Sequence, residues 1–296
     1  MRVGLIGTGN MGNRIGPGVL GAGHQLVVYD LRRESARALC DRGAQWVEGP
    51  RQVAREAEVV LTSLPGPTVV EQVVFDPDQG LLGALAPGAV YADMTTSTPW
   101  LAERIYEACR ERDVRALDSP LSKGGEFVTV GGDRDAFEQC RPVLEAVSEH
   151  VLYMGGPGLG QVAKLAHQYV TFCNMMTLME ALLFSVKGGL DVTAVADFLK
   201  ASVGRSSHGD RVLGSLLARE FGGPGVSKGT LDIVSKDISL AVELARRLGT
   251  PTQVGLVVGD MLQRGQAQGW GRHEHWAAVQ LLEQSAGIEL RVDPQR

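Results

Sequence analysis

The sequence predicts an α/β fold: an N-terminal doubly wound parallel sheet plus an all-α C-terminal domain, joined by a long inter-domain helix. Three observations predict it. Short apolar runs alternate with amphipathic stretches from the first residue to Met154, the pattern of parallel strands covered by helices. A hinge-like run, Gly155-Gly-Pro-Gly-Leu-Gly160, then breaks that pattern. After it comes a stretch from Leu165 to Val186 in which Glu180 is the single fully charged side chain, and from there on only helical periodicity is expected. The expected domains are 1–157 and 158–296, with the long helix over about 159–188.

The first domain opens on Val3-Gly-Leu-Ile6, an apolar strand leading into Gly7, Gly9 and Gly12. The spacing is G-x-G-x-x-G. Gly7 allows a tight turn, Gly9 removes a Cβ that would block a pyrophosphate, and Gly12 lets the next helix lie close on the sheet. The free amides and dipole of that helix end attract phosphate. His24-Gln-Leu-Val-Val-Tyr-Asp30 reads as the second strand, and it ends in a carboxylate where dinucleotide folds hold a ribose hydroxyl. The first helix should cover 13–23, with Pro17 kinking or shortening it because proline lacks the N–H. Further helices are expected over 33–43, 50–57, 69–74, 99–112 and 133–148, and further strands over 45–47, 58–64, 89–93, 114–118, 127–130 and 150–154. Thr98 or Ser97 can cap the helix that starts at Pro99. Ligands of such sheets sit beyond the carboxyl ends of the strands, which singles out 7–12, 30–33, 64–67, 95–97 and 118–125. Helices at 191–202, 208–219, 230–249, 251–268 and 274–285 complete the second domain.

Composition narrows the function. With 296 residues, 44% hydrophobic and 21% charged, the chain has the make-up of a globular protein. A net charge of −5 argues against nucleic acid or an anionic membrane as partner. Cys40, Cys109, Cys140 and Cys173 show no C-x-x-C spacing and read as reduced thiols of a cytoplasmic protein. The N-terminal apolar run is too short for a signal peptide. The stretch from Leu165 approaches membrane-spanning length, but Gln168, Thr171, Asn174, Thr177 and Glu180 recur at helical spacing as one polar stripe, which favours a soluble helix buried on most sides. A helix so apolar needs cover, so a homodimer or homotetramer is expected. His273-Glu-His275 reads as a surface stretch, since i and i+2 do not share a helix face and no third ligand stands at a useful spacing; no metal is expected.

Three segments could carry chemistry. Lys164 follows the hinge, with Gln168 and Thr171 on the same helix face. By spacing alone it reads either as a snorkelling lysine or as a group facing a cleft. Asp118-Ser-Pro-Leu-Ser-Lys-Gly-Gly125 offers a hydroxyl, an ammonium and backbone amides suited to a carboxylate, or is an ordinary capped turn. Lys236, in Ser235-Lys-Asp237, reads as a solvated lysine on an amphipathic helix.

Taken together, these motifs resemble the β-hydroxyacid dehydrogenase family, the group that includes 3-hydroxyisobutyrate dehydrogenase and tartronate semialdehyde reductase, over essentially the whole chain. Gly7-Thr-Gly-Asn-Met-Gly12, with Gly23-His24 before the second strand, is similar to the family's first motif, and Leu64-Pro65 to its Leu-Pro cofactor contact. Asp93-Met-Thr-Thr-Ser-Thr-Pro99 resembles Asp-x-Ser-Thr-x-x-Pro, which puts the nicotinamide-side threonine at Thr96. Asp118-Ser-Pro-Leu-Ser-Lys-Gly124 is similar to Asp-x-Pro-Val-Ser-Gly-Gly, Gly158-Leu-Gly-Gln-Val-Ala-Lys164 to Gly-x-Gly-x-x-x-Lys, and Lys236-Asp-Ile238 to Lys-Asp-Leu. The resemblance implies a Rossmann-type first domain that binds the cofactor through Gly7, Gly9, Asn10, Met11, Gly12, Asp30, Leu64, Pro65, Thr96 and Lys236. It implies substrate contacts at Ser122, Lys123, Gly124 and Gln168, and Lys164 as the catalytic lysine. Three departures touch the substrate side: Gln168 stands where the family has asparagine, Lys123 displaces a glycine, and the segment from Gly124 to Val130 is short. Lys123 could then meet a second anionic group on the substrate.

The implied reaction is hydride transfer between NAD(P) and a small 3-hydroxy acid, or an analogous anionic alcohol or semialdehyde, with Lys164 as general acid and base. A free lysine has a pKa near about 10.4, so burial or neighbouring cations such as Lys236 or Lys123 would have to lower it. Asp30 favours NAD because a carboxylate repels a 2′-phosphate, while Arg32 and Arg33 leave NADP open. Alternatives are an imine reductase-like enzyme and a catalytically inactive dinucleotide-sensing protein.

Overall fold

A computed structural model describes residues 1–227 and 229–292, so residues 293–296 of the expected second domain lie outside the described residues. The chain divides into two compact units, Met1–Lys164 and Leu165–Arg296.

The first unit is a nine-stranded sheet. Its strands are β1 (Arg2–Ile6), β2 (Gln25–Tyr29), β3 (Gln45–Trp46), β4 (Val59–Thr62), β5 (Val90–Asp93), β6 (Arg115–Asp118), β7 (Leu121–Ser122), β8 (Phe127–Gly132) and β9 (His150–Gly155). Between them run α1 (Gly12–Gly21), α2 (Arg37–Cys40), α3 (Pro50–Glu56), α4 (Pro67–Phe75), α5 (Pro99–Arg110) and α6 (Arg134–Val147). The order β3-β2-β1-β4-β5-β6 is parallel throughout, and the winding reverses between β1 and β4. The strands read as near-continuous apolar runs because both faces are covered. Side chains alternate between the faces with period two. Val3, Leu5, Leu26, Val28, Val59, Leu61 and Val90 pack with α1, α2 and α6, whereas Ile6, Val27, Val60 and Tyr91 pack with α3, α4 and α5.

The sheet is not wholly parallel, in contrast to the expectation. β8 runs antiparallel to β6 through Gly131 and Gly132 and to β7 through Phe127 and Val128, then parallel to β9. The chain leaving β6 bends into the two-residue β7 and turns back within Lys123–Gly125, too short a link for a parallel crossover. Pro17 does not end α1, which continues through it to Gly21. The glycines beside it explain the odd Gly16-Pro-Gly18: a Cβ at Gly16 would stand 2.4 Å from Leu39, and one at Gly18 2.2 Å from the Ala146 carbonyl oxygen. The helix expected over 33–43 is a 3-10 turn (Arg33–Ala36) followed by the single turn of α2.

The second unit is helical; among its described residues the single β contact is a bridge between Thr230 and Glu274. Its elements are α7 (Leu159–Lys187), whose first turns belong to the first unit, then α8 (Val192–Ala201), α9 (Ser207–Leu217), α10 (Leu231–Arg247), α11 (Gln253–Ala267) and α12 (Val279–Ala286). By length and composition alone α7 could cross a membrane. Some of its apolar residues form the spine of two cores, while Val170 and Phe184 are exposed. Met175, Met179, Leu182 and Leu183 pack with α8, α9 and α12, while Phe172 and Met176 pack with α10 and α11. Of the expected polar stripe, Asn174, Thr177 and Glu180 are exposed, Thr171 is half-buried and Gln168 is buried.

His275 is buried, which corrects the reading of His273-Glu-His275 as a surface stretch. Its Nδ1 lies 2.7 Å from the Gly229 carbonyl oxygen, which can only accept, so Nδ1 carries the proton. Its Nε2 must then accept from His208 Nε2 at 3.0 Å, and His208 Nδ1 accepts from Arg211 at 2.9 Å. This one-way chain needs both rings neutral. Burial, then the neighbouring His275 and Arg211, push His208 down to about 3, and burial pushes His275 down to about 4. Both values are depressed below the unfolded value near 6.5, so stability is complete above that pH and declines as the pH falls toward the folded values. Unfolding free energy from denaturant titration should fall between pH 7 and pH 5 with a slope of up to about 1.4 kcal/mol per pH unit for each histidine. In a His208→Phe variant that slope should be shallower; an unchanged slope would exonerate the pair.

Candidate active site

The segments singled out at the carboxyl ends of the strands come together in the first unit, built on the reversal between β1 and β4. Gly7 has φ +93°, and its amide donates to the Tyr29 carbonyl oxygen at 2.9 Å. A Cβ at Gly7 would stand 2.2 Å from the Ser63 carbonyl oxygen, and one at Gly12 2.0 Å from the Gly7 carbonyl oxygen. Gly12 is therefore needed by the turn itself, more than by close helix–sheet packing. Gly9 is different: a Cβ there would meet nothing within 4 Å. The protein leaves that space open, as a pyrophosphate cradle requires. Asn10 is exposed and Met11 half-buried beside it. Asp30 holds this turn to the end of β2, its Oδ2 accepting from the Thr8 amide at 2.8 Å and its Oδ1 from the Arg32 amide at 2.9 Å. Each oxygen keeps a second lone pair for a ribose hydroxyl. These residues fit a dinucleotide.

The ends of β4, β5 and β6 are bonded into one network. Asp93 Oδ1 accepts from Thr62 Oγ1 at 2.8 Å and from the Thr95 amide at 3.0 Å. Thr95 Oγ1 in turn accepts from the Leu64 amide at 3.0 Å, which fixes Leu64 and the exposed Pro65 beside the half-buried Thr96. Asp118, the register partner of Asp93, accepts from the Gly158 amide at 2.8 Å and from the Gln161 amide at 2.7 Å. Those are free amides at the start of α7, so the carboxylate caps the helix from another element. Burial pushes its carboxyl up to about 7, against the two amide bonds, and the charge of Asp93 adds to the rise.

Lys164 lies in the second turn of α7 and is 4% exposed. Ser122 is buried at the end of β7, and its Oγ has no hydrogen-bond partner among the described residues. Such a hydroxyl has a bond to offer a ligand. Lys123 (φ +50°) and Gly124 (φ +70°) turn the chain beyond it, and Arg14 of α1 donates to the Gly124 carbonyl oxygen at 2.7 Å. Lys123 is exposed and pairs with Glu126 at 2.5 Å. This pairing partly neutralises the positive charge expected for a second anionic group.

Gln168 and Lys236 belong to the second unit. Gln168 Nε2 donates to Asp237 Oδ2 at 2.5 Å, and Lys236 Nζ lies 2.8 Å from Asp237 Oδ1. Lys236 is thus half-buried beside a carboxylate, not a solvated lysine. Two residues stood within the quoted motifs without a role of their own: Gln161, wholly buried, and Asp237, 2% exposed. Their partners are 64 and 69 residues away in the chain, so no local pattern marks them.

The contrast between the glycines is testable. Gly9→Ala should leave the melting temperature of the apo-protein within about 1 °C, since the methyl meets no protein atom. It should weaken dinucleotide binding by about tenfold or more, measured by fluorescence titration. Gly12→Ala should lower the melting temperature, because its Cβ meets a carbonyl oxygen. Unaltered binding in Gly9→Ala would remove the cradle.

Comparison with known proteins identifies the family. Residues 2–155 match the family described as the NAD binding domain of 6-phosphogluconate dehydrogenase, and residues 158–282 the one described as NAD-binding of NADP-dependent 3-hydroxyisobutyrate dehydrogenase. The chain is 29% identical to 2-(hydroxymethyl)glutarate dehydrogenase of Eubacterium barkeri, over 98% of this chain and 97% of that protein. It is 31% identical to 2-hydroxy-3-oxopropionate reductase of Escherichia coli (strain K12), over 98% of this chain and 100% of that protein. The solved structure of Psf3 in complex with NADP+ and 2-OPP is similar with a TM-score of 0.83 at 26% identity, over 95% of this chain and 99% of that one. The chain belongs to the β-hydroxyacid dehydrogenase family and is an NAD(P)-dependent oxidoreductase.

Proposed function

We propose that the protein interconverts a small 3-hydroxy acid, or an analogous anionic alcohol, with its semialdehyde or ketone, using Lys164 as general acid and base and preferring NAD. The observation that carries the reading is the burial of Lys164, 4% exposed, on a helix start bonded through Asp118 to the end of β6. The bound dinucleotide supplies the hydride acceptor in oxidation and the hydride donor in reduction. Gly7 to Gly12 hold its pyrophosphate and Asp30 its ribose. Leu64, Pro65 and Thr96 bound the nicotinamide side, and Lys236 is a further cofactor contact.

In oxidation, Lys164 Nζ takes the proton of the substrate hydroxyl as hydride leaves the same carbon; in reduction it returns that proton to the carbonyl oxygen. The buried Ser122 hydroxyl and the amide of Gly124 hold the substrate carboxylate. Gln168, held by Asp237 at its Nε2 and by His167 Nδ1 at its Oε1, keeps a fixed amide orientation and is a substrate contact in this reading. Lys123, screened by Glu126, attracts an anionic substrate more than it clamps one. The relatives named above act on carboxylate-bearing alcohols or semialdehydes, which supports this substrate class.

The test is cofactor reduction across 3-hydroxyisobutyrate, 2-(hydroxymethyl)glutarate, glycerate and serine, with NADH oxidation by 2-hydroxy-3-oxopropionate as the reverse arm. At least one should turn over. Lys164→Met should lower kcat by about 10²–10⁴-fold while the cofactor still binds; near-full turnover would refute the assignment. Asp30→Ala should raise the ratio of NADP to NAD activity by removing a carboxylate that repels a 2′-phosphate. An unchanged ratio would overturn the preference for NAD.

A further inference from the structure

One wholly buried polar side chain in the network has no assigned task. Gln161 Oε1 accepts from the Ser97 amide at 2.9 Å, and its Nε2 donates to the Thr95 carbonyl oxygen at 2.8 Å. Those two groups belong to the peptide units on either side of Thr96. One planar carboxamide therefore binds both peptides that flank the nicotinamide-side threonine. The backbone amide of the same residue is tied to Asp118. Lys164 follows three residues later, on the same helix face. Asp118 itself has little room to move: a Cβ at Gly131 would stand 2.4 Å from its Oδ1, and one at Gly160 2.7 Å from its Oδ2.

We propose that Gln161 is a positioning residue, whose carboxamide locks the two peptide groups flanking Thr96 to the helix turn that carries Lys164. The cofactor-side threonine and the acid–base lysine are then set by a single bonded unit rather than by two independent segments. The inference rests on Lys164 being the acid–base group. The side chain must be a carboxamide because the site needs one acceptor and one donor in a plane. A carboxylate would turn lone pairs toward the Thr95 carbonyl oxygen unless it were protonated. A methionine would fill the volume and make neither bond. Misplacement of a reacting group by about 1 Å can cost about 10²-fold in rate.

The experiment compares Gln161→Met, Gln161→Glu and Lys164→Met with the wild-type protein. In the apo-proteins, amide hydrogen exchange is followed in peptides spanning 94–101 and 158–164. With cofactor and the best substrate from the panel above, kcat, KM and the cofactor Kd are measured from pH 6 to pH 9. The titratable groups that these bonds bring around Gln161 are Asp118 on β6, Asp93 and Tyr91 on β5, and Lys164 on α7. Gln161→Met should exchange faster in 94–101 and lose about 10- to 100-fold in kcat, with KM and cofactor Kd moving less than about threefold. Gln161→Glu should regain activity relative to Gln161→Met as the pH falls, because the protonated acid restores the donor to Thr95. Unchanged exchange in Gln161→Met, a kcat within twofold of wild type, or Glu and Met variants with parallel pH profiles would each overturn the proposal. A fully active Lys164→Met would instead sink the acid–base reading and leave the exchange result standing, so the two failures are distinguishable.

Discussion

A buried carboxylate at the start of a helix holds this site together. Asp118 takes two amides from the first turn of α7, and the same turn carries Gln161 and, just beyond, Lys164. A helix start leaves four amides without partners, and inside a protein each must be satisfied. Solving that problem with a side chain from the end of β6 ties α7 to the sheet at the edge where ligands of this topology lie. The neighbouring Asp93 does the equivalent for the loop after β5. Two acidic groups on adjacent strands, each bonded to backbone amides, thereby shape the ground on which the lysine stands.

The cofactor side rests on sterics more than on charge. Gly7 and Gly12 are required because the turn brings backbone oxygens within 2.0–2.2 Å of where a Cβ would stand. Gly9 faces open space, so no protein atom demands its lack of a side chain. Asp30 staples the glycine turn to β2 through the Thr8 and Arg32 amides, and the ribose contact proposed for it would use the lone pairs that remain.

In the helical unit α7 is the shared spine of two apolar cores, which accounts for much of its apolar composition. Polar groups in that unit are buried as linked sets: Gln168 with Asp237 and Lys236, His208 with His275 and Arg211. A carboxylate that accepts from an amide on one oxygen and faces an ammonium on the other restricts all three side chains.

Much of this was legible in one dimension. The period-two apolar strands, the glycine spacing after β1, the acid ending β2 and the length of α7 are local patterns, and local patterns follow from the backbone geometry that each element imposes. What the chain order hid was every interaction between distant segments. Nothing local tells that Asp118 caps a helix some 40 residues on, that Gln161 grips both sides of Thr96, or that His275 is buried against His208 and not exposed beside His273. The antiparallel return of β8 likewise depends on a two-residue strand too short to be seen as one. The sequence by itself determined the fold class and the tight glycine turn that follows β1. Only the tertiary structure decided which buried polar groups meet, because desolvated donors and acceptors must be paired wherever packing brings them, irrespective of their separation along the chain.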